Sequence, residues 1–170
     1  VLWCTESPYE DRRQLEQVSH ADLVIVNDPT NLDQFRERNP NSHYLPHAYD
    51  PEIHHPRPPD PKLVSDFCFV GTGYPSRVEF LEQVDWTGID ICLAGNWELV
   101  HDQSPLLPFL AHRRGHCVDN GDAVKLYTSA KTSANFYRRE YGDGQLHERR
   151  PPEAGWSMTP REVELAACGV

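Results

Sequence analysis

The chain has 170 residues, of which 26 are acidic and 16 are basic, so its formal net charge is −10 at pH 7. Apolar residues make up 38% and charged residues 25% of the sequence, a mixture typical of one globular domain or two small lobes. No apolar run approaches the roughly 18 residues of a membrane-spanning helix, and the acidic charge argues against a general binder of nucleic-acid backbones.

Short apolar runs alternate with helical patterns in the first third of the chain. Leu2–Cys4 and Leu23–Asn27 predict strands, with a polar helix over residues 10–19 between them. Thr30 is placed to cap a short helix, and Tyr44–Leu45 predicts a brief strand. A proline-rich passage follows, with prolines at 46, 51, 56, 58, 59 and 61. Because proline fixes φ and lacks an N–H, we expect a stiff connection here, with a lobe boundary at about residue 58.

The second part of the chain repeats this alternation. Asp66–Val70 predicts a buried strand that runs into a glycine turn, after which Ser76 is expected to cap a helix. Two later helices are expected, one capped by Asp122 and one capped by Thr159 in a second capping box. Three further strands are predicted, at Ile89–Leu93, Cys117–Val118 and Ser133–Phe136. The pattern predicts an α/β fold with mostly parallel sheets, in which ligands bind at the carboxyl ends of the strands.

The cysteines and the chain ends indicate the setting of the protein. Five cysteines occur without a C-x-x-C pair, which predicts buried, reduced thiols and a cytoplasmic location. The sequence starts within a strand-like run, without Met, and stops where a helix should lead into the next element. We therefore expect an internal segment of a longer protein.

The glycine turn is a candidate anion site. Gly71, Thr72 and Gly73 allow a ligand to approach the backbone closely, and the start of the next helix attracts phosphate. Arg77 adds a positive charge in the first helical turn, where a cation is unfavourable unless an anion is near. A tight turn with a solvent-facing Arg77 is the alternative.

The last helix carries a second candidate pair. Arg161 and Glu164 are three residues apart and share a helix face, where a guanidinium suits phosphate and a carboxylate suits a ribose diol. An ion pair between them on a solvated surface is the alternative. From Lys125 to Arg161 the chain has seven basic and four acidic residues, a balance of +3 that suits a single anionic ligand.

Glu6 and a group of histidines are further candidates for a functional role. Glu6 follows the first predicted strand, where it could act as a base or bind a substrate hydroxyl, or simply begin a helix. Four histidines cluster near the linker, at His43, His47, His54 and His55. Their spacing fits no metal motif, so we expect no metal.

Five segments of the chain, taken together in their order along the sequence, resemble the CgeB-like glycosyltransferases of the spore-maturation type. These enzymes have the GT-B architecture of two Rossmann-like lobes. The segments are similar to the family's W-x-x-E-x-P element, its "D-hydrophobic-N/D" strand, its L-P-x-x-x-D/N-P linker entry, its F-V-G-…-R opening of the donor lobe and its R-x-x-E-x-x-A-C-G helix. These segments are Trp3–Tyr9, Ala21–Asp28, Tyr44–Pro51, Asp66–Arg77 and Arg161–Gly169.

The resemblance implies a glycosyltransferase that moves a sugar from a nucleotide-diphosphate sugar to an acceptor whose nature stays open: a glycan, a protein, a small molecule or a modified nucleobase. Residues 1–58 would be the end of the acceptor-side lobe with the interlobe linker, and 59–170 the truncated donor-binding lobe. The nucleotide sugar would be a substrate, and neither a cofactor nor a metal is implied.

The resemblance also implies roles for single residues. Glu164 would bind the donor ribose and Arg77 the departing diphosphate, with Glu6 as the candidate base; Arg77→Ala is then expected to lower turnover more than stability. The donor-binding set is Gly71, Thr72, Gly73, Asn135, Arg161 and Glu164. Trp156 stands where many retaining GT-B enzymes have a second glutamate, near the sugar.

Two functions other than glycosyl transfer are alternatives. A non-catalytic nucleotide- or sugar-binding module of the same fold would bind a nucleoside diphosphate without turning over a sugar donor. A receiver-type regulatory domain would need clustered acids at strand ends, for which only Asp28 and Asp119 are candidates.

Overall fold

The computed structural model of the chain describes residues 1–140 and 158–170, and these fall into two compact units. Val1–Ala48 and the described residues between Arg139 and Pro160 belong to the first unit, and Tyr49–Arg138 with Arg161–Val170 to the second. Each unit holds a three-stranded parallel sheet, which confirms the predicted α/β class with parallel sheets. The chain passes between the units at Ala48–Tyr49, whereas the predicted lobe boundary lies at about residue 58.

The first unit is built on the sheet order β1-β2-β3, with strands β1 (Leu2–Cys4), β2 (Val24–Val26) and β3 (Ser42–Tyr44). The connecting helices are α1 (Asp11–Gln14) and α2 (Leu32–Arg38). Apolar side chains of the sheet and helices form one core, whose buried members are Cys4, Val18, Val24, Val26, Leu32 and Phe35.

Two predictions for this unit were wrong in detail. The helix expected over 10–19 is only the four residues of α1, followed by a separate 3-10 turn at Val18–His20. The cap before α2 is Asp28 rather than Thr30, because the Asp28 carboxylate accepts the Thr30 N–H at 2.8 Å. An aspartate one residue before Pro29 can cap the turn that precedes the helix, whereas Thr30 already lies inside that turn.

The second unit is built on the sheet order β5-β4-β6, with strands β4 (Ser65–Val70), β5 (Ile91–Ala94) and β6 (Ala130–Ser133). Helices α3 (Pro75–Glu82), α4 (Asn120–Ser129) and α5 (Pro160–Cys168) belong to the same part of the chain. Both neighbours of β4 come later in the sequence, one on each side, so the strand order reverses at β4. Such a reversal opens a crevice at the carboxyl ends of the strands, where open α/β sheets bind ligands.

Strand β4 is covered on both faces, as expected of a central parallel strand. On one face Cys68 and Val70 pack with residues of α4 and α5, including Tyr127 and Leu165. On the other face Phe69 joins a second cluster, whose further buried members are Val78, Leu81, Leu93, Trp97, Val100 and Leu106. The two clusters hold the carboxyl end of β4 firmly between them.

Four predictions for this unit were displaced. Cys117–Val118 is not a strand, and the strand expected at Ser133–Phe136 is β6, which ends at Ser133. Helix α4 is capped by Asp119, whose carboxylate accepts the Asp122 N–H at 2.9 Å, rather than by Asp122. Helix α3 begins at Pro75 and has no side-chain cap, so Ser76 lies inside the helix. The fixed φ of proline suits the first helical position.

All five cysteines lie in the described residues and are free thiols. Cys4, Cys68 and Cys168 are buried, as predicted, whereas Cys92 is half-buried and Cys117 is exposed. Burial, with a smaller contribution from the Asp11 charge, raises the pKa of the Cys4 thiol to about 11. Cys68 and Cys92 are direct partners on β4 and β5; their shared hydrogen bond, followed by burial, raises the pKa of Cys68.

Candidate functional site

Three predicted donor-binding residues, from three separate segments, meet at the reversal of the second sheet. Gly71 follows β4 and Asn135 follows β6, so both lie at the carboxyl ends of neighbouring strands. Arg161, in the first turn of α5, donates from Nη1 to Asn135 Oδ1 at 3.4 Å. A Cβ atom added to Gly71 would lie 2.6 Å from Arg161 Nη2, so the glycine is needed for this approach.

Arg161 has no acidic partner among the described residues. Among residues 1–140 and 158–170, no carboxylate oxygen lies within 4.0 Å of its guanidinium, and its Nε is buried without a hydrogen-bond acceptor. The guanidinium carbon lies 5.0 Å from the centre of the Phe69 ring. The alternative of an ion pair with Glu164 is therefore wrong. A cation in the first turn of a helix is favourable only when an anion is nearby, so this position is suited to a bound anion.

The glycine turn offers less backbone to an anion than the sequence predicted. The N–H of Gly71 donates to the Ala94 carbonyl and that of Gly73 to the Asn96 carbonyl, both at 2.8 Å, while Tyr74 N–H donates to the Thr72 carbonyl at 2.9 Å. The Thr72 N–H is the donor of this turn without an acceptor among the described residues. The Gly71 and Gly73 hydrogen bonds attach the turn to the end of β5 and the segment after it, whereas the Tyr74 hydrogen bond lies within the turn.

Close packing explains the glycines of this region. A Cβ on Gly73 would lie 2.5 Å from the fully buried Trp97 ring. Gly95, directly after β5, has φ of +103° and lies against the backbone of Gly71. Only glycine adopts this conformation readily, and only glycine leaves room for the neighbouring turn. The position of the Gly71 turn therefore depends on Gly95.

Arg77 points inward, which was not predicted. Its residue exposure is 7%, and its guanidinium donates to the Thr72 carbonyl at 2.9 Å and to the Phe136 carbonyl. It also lies over the aromatic rings of Phe69 and Tyr74, at 5.3 and 5.1 Å. The alternative of a solvent-facing Arg77 is wrong. Arg77 joins the glycine turn to the segment after β6, while its role on the diphosphate stays a prediction.

We expect Arg77→Met to lower the free energy of unfolding by about 2 kcal/mol, because charged hydrogen bonds to the Thr72 and Phe136 carbonyls are lost. The structure thus adds an expected effect on stability to the predicted effect on turnover. Urea denaturation of the wild type, Arg77→Met and Arg77→Lys measures the effect. Lysine keeps the charge without the planar fork, so an intermediate loss is expected. Equal midpoints for all three proteins would contradict the structural role.

Glu164 lies one turn after Arg161 on α5 and faces a buried histidine. Its Oε1 lies 3.9 Å from His54 Nε2, and the side-chain exposures are 19% for Glu164 and 3% for His54. The charges of Arg161 and Glu164 both affect the pKa of the buried Tyr127 hydroxyl. Burial has the largest effect and raises this pKa, Arg161 lowers it, and Glu164 raises it. The anion-binding and ribose-binding candidates therefore occupy one surface of α5.

The four histidines do not form one cluster, and Glu6 lies in the first unit. Glu6 is exposed after β1 in the first unit, and its role as a base stays a prediction. The four histidines have separate partners: His43 contacts Asn41 and His47 contacts Asn27, both in the first unit, whereas His54 and His55 belong to the second. Within the described part of the chain, no group of three or more His, Cys, Asp or Glu side chains could hold a metal ion.

Some sequence predictions fall outside the described residues. Trp156, at the position where the resemblance implies a second glutamate, lies in the gap between 140 and 158, as do Arg149 and Arg150, two of the seven basic residues counted from Lys125 to Arg161.

Sequence reasoning missed three residues that shape the site. Phe69 contacts the guanidinium groups of Arg77 and Arg161, the hydroxyl of Tyr127 has a pKa that both Arg161 and Glu164 affect, and His54 faces Glu164. Phe69 was expected only within a buried strand, and Tyr127 only within the helix after Asp122. His54 was expected only as one of four clustered histidines, without a metal. Their contacts join residues far apart in the chain, for which spacing offers no signal.

The sequence matches no protein-family model and no curated protein. In the part of the chain that the structure describes, no helix has the length and apolar character needed to cross a membrane.

Proposed function

We propose that this chain belongs to a glycosyltransferase of GT-B architecture similar to the CgeB-like enzymes, and that its second unit binds a nucleotide-diphosphate sugar. The observation that carries the proposal is Arg161, a partly buried cation without an acidic partner among the described residues, placed where two parallel strands end at a reversal of strand order. A guanidinium binds phosphate through paired, charge-assisted hydrogen bonds, and open α/β sheets bind their ligands at such reversals.

The proposed ligand follows the groups around Arg161. The diphosphate contacts the Arg161 guanidinium and the Thr72 N–H, which is the donor of the glycine turn that the described residues leave without an acceptor. The ribose contacts Glu164, one helical turn further along α5, because a carboxylate accepts hydrogen bonds from a diol. Asn135 holds Arg161 in place from the end of β6.

Catalysis in this proposal comes from stabilising the leaving group. When the glycosidic bond to the diphosphate breaks, negative charge develops on the diphosphate oxygens, and a preorganised cation stabilises that charge. Arg161 is the better candidate for this contact, since the Arg77 guanidinium is engaged with the Thr72 and Phe136 carbonyls. Glu6, in the first unit, is the proposed base of the acceptor side.

A non-catalytic nucleotide-binding module is the second candidate. The inward position of Arg77 favours it, because the cation expected to stabilise the departing diphosphate is buried and holds backbone carbonyls instead. Such a module would use Arg161 and Glu164 for binding in the same way, and it would release no sugar.

The test has a binding step and a turnover step. Thermal unfolding of the 170-residue chain is measured with UDP, GDP, dTDP, ADP and the matching monophosphates. A ligand at a hundredfold excess over its Kd stabilises the native state by about 2.7 kcal/mol. We expect a shift with one diphosphate and a smaller shift with its monophosphate. Absence of any shift would contradict both candidates.

The nucleotide that binds then decides which sugar donors are tried. Release of the nucleoside diphosphate from its sugar conjugate, measured over hours with and without candidate acceptors, is expected for the glycosyltransferase. Binding of the conjugate without release would favour the non-catalytic module.

A further inference from the structure

A buried histidine nitrogen faces Glu164 without being bonded to it. His54 Nε2 is buried, has no hydrogen-bond partner among the described residues and lies 3.9 Å from Glu164 Oε1. This separation exceeds the roughly 2.7–3.2 Å of an N–H···O hydrogen bond. Buried polar atoms in native proteins are nearly always bonded, so the position of this nitrogen points to a partner that it meets in another state of the site.

The backbone of Asp50 determines which ring nitrogen of His54 carries the proton. The Asp50 carbonyl already accepts the N–H of Ile53 at 3.1 Å and the N–H of His54 at 2.7 Å, which use both of its lone pairs. The imidazole Nδ1 lies 3.2 Å from that carbonyl oxygen and 3.3 Å from the Asp50 N–H. Nδ1 therefore accepts the Asp50 N–H, and Nε2 carries the proton and directs it toward Glu164.

No other described group performs this task for Glu164. Arg161 is one turn away on the same helix, yet the two side chains form no ion pair within 4.0 Å. The His54 ring is 3% exposed and is held by the 50–54 turn, so its Nε2–H has a defined direction. The Glu164 carboxylate oxygen has to approach by about 0.7 Å to come within hydrogen-bonding distance of Nε2.

We propose that His54 is a positioning residue for Glu164. The Nε2–H holds one carboxylate oxygen, so that the other oxygen is directed at a ribose hydroxyl of the ligand. The inference rests on the proposed nucleotide-binding function and refines it. An oriented carboxylate accepts a hydrogen bond from a ribose hydroxyl and is left unpaired when the hydroxyl is missing. The ligand class that follows is a ribonucleoside diphosphate rather than a deoxyribonucleoside diphosphate.

The experiment compares ligands with and without a ribose hydroxyl. Calorimetric titration of the 170-residue chain uses UDP, GDP and ADP, their 2′-deoxy and 3′-deoxy analogues, and inorganic pyrophosphate. For the wild type we expect the ribonucleotide that binds to bind about tenfold more tightly than one of its deoxy analogues, as for the loss of one hydrogen bond to a charged group. In His54→Leu this ratio should fall to about one, while the affinity for pyrophosphate is unchanged.

Two further variants separate positioning from folding. His54→Gln keeps an N–H donor and should retain most of the discrimination, and His55→Leu, at an exposed neighbouring histidine, should behave as the wild type. A second readout needs no variant: the ¹⁵N resonance of His54 Nε2 in the wild type should shift with the ribonucleoside diphosphate and not with pyrophosphate.

The outcomes distinguish the two proposals. If the wild type binds a ribonucleoside diphosphate and His54→Leu keeps the full ratio, or if both ligands shift the His54 resonance equally, the positioning role is overturned and the nucleotide site stands. If the wild type binds none of the nucleotides, the proposed function fails and the role of His54 fails with it.

Discussion

Replacing Arg161 with Gln is expected to weaken the binding of a nucleoside diphosphate about 10- to 100-fold. A charged hydrogen bond to phosphate contributes about 1.5–3 kcal/mol, and 1.4 kcal/mol corresponds to tenfold in affinity. The free energy of unfolding should stay the same or rise slightly, because a cation that has no acidic partner in the described part of the chain is removed from the first turn of α5. Calorimetric titration and urea denaturation of the same protein preparation measure both quantities.

The control is Arg113→Gln, which removes the same charge from an exposed position of the second unit. If general electrostatic attraction were responsible for binding, the two variants would lose similar affinity. Full affinity in Arg161→Gln would remove Arg161 from the site and, with it, the observation that supports the proposed function.

Replacing Gly95 with Ala is expected to lower the free energy of unfolding by more than about 3 kcal/mol. A φ of +103° is strained for an L residue, at a cost of about 1–3 kcal/mol. The new Cβ would also collide with the backbone of Gly71, and backbone atoms cannot move aside as the end of a flexible side chain can. The Gly71 turn would have to shift, so we also expect nucleotide binding to be lost. Urea denaturation measures the first effect.

Gly88→Ala is the matched control for this prediction. Gly88 also has a positive φ, of +76°, but a Cβ at Gly88 would meet nothing within 4 Å. The expected loss is therefore only the conformational strain, about 1–2 kcal/mol. Equal losses at the two positions would show that the contact between Gly95 and Gly71 is unimportant for stability.

Local patterns predicted the elements that bury a continuous apolar run. Strand β4 was recognised because Phe67–Val70 is apolar throughout, as a strand covered on both faces must be, and α5 because Pro160 and Gly169 mark its two ends. Strand β6 was misplaced because Lys131 and Thr132 are exposed, so its sequence lacks an apolar run. The cap of α4 was misassigned because Asp119 and Asp122 both suit that position.

The candidate site was predictable where it depends on helix spacing. Arg161 and Glu164 were singled out because residues three apart share a helix face, and both lie on α5 as expected. The direction of Arg77 was not predictable, since it depends on the Phe136 carbonyl, which comes from the far end of the unit. The pairing of His54 with Glu164 was equally hidden, because it joins the passage after the unit boundary to the last helix.

By itself the sequence determined the α/β class, the glycine turn after the first strand of the second unit, and the charged pair on the last helix. These features arise from neighbours along the chain, whose spacing and backbone preferences are written directly in the residue order. Only the tertiary structure decided that Arg77 holds carbonyls, that Arg161 lacks an acidic partner among the described residues, and that His54 faces Glu164. A charged side chain takes the partner that folding brings within a few ångströms, and that partner is set by packing rather than by sequence distance.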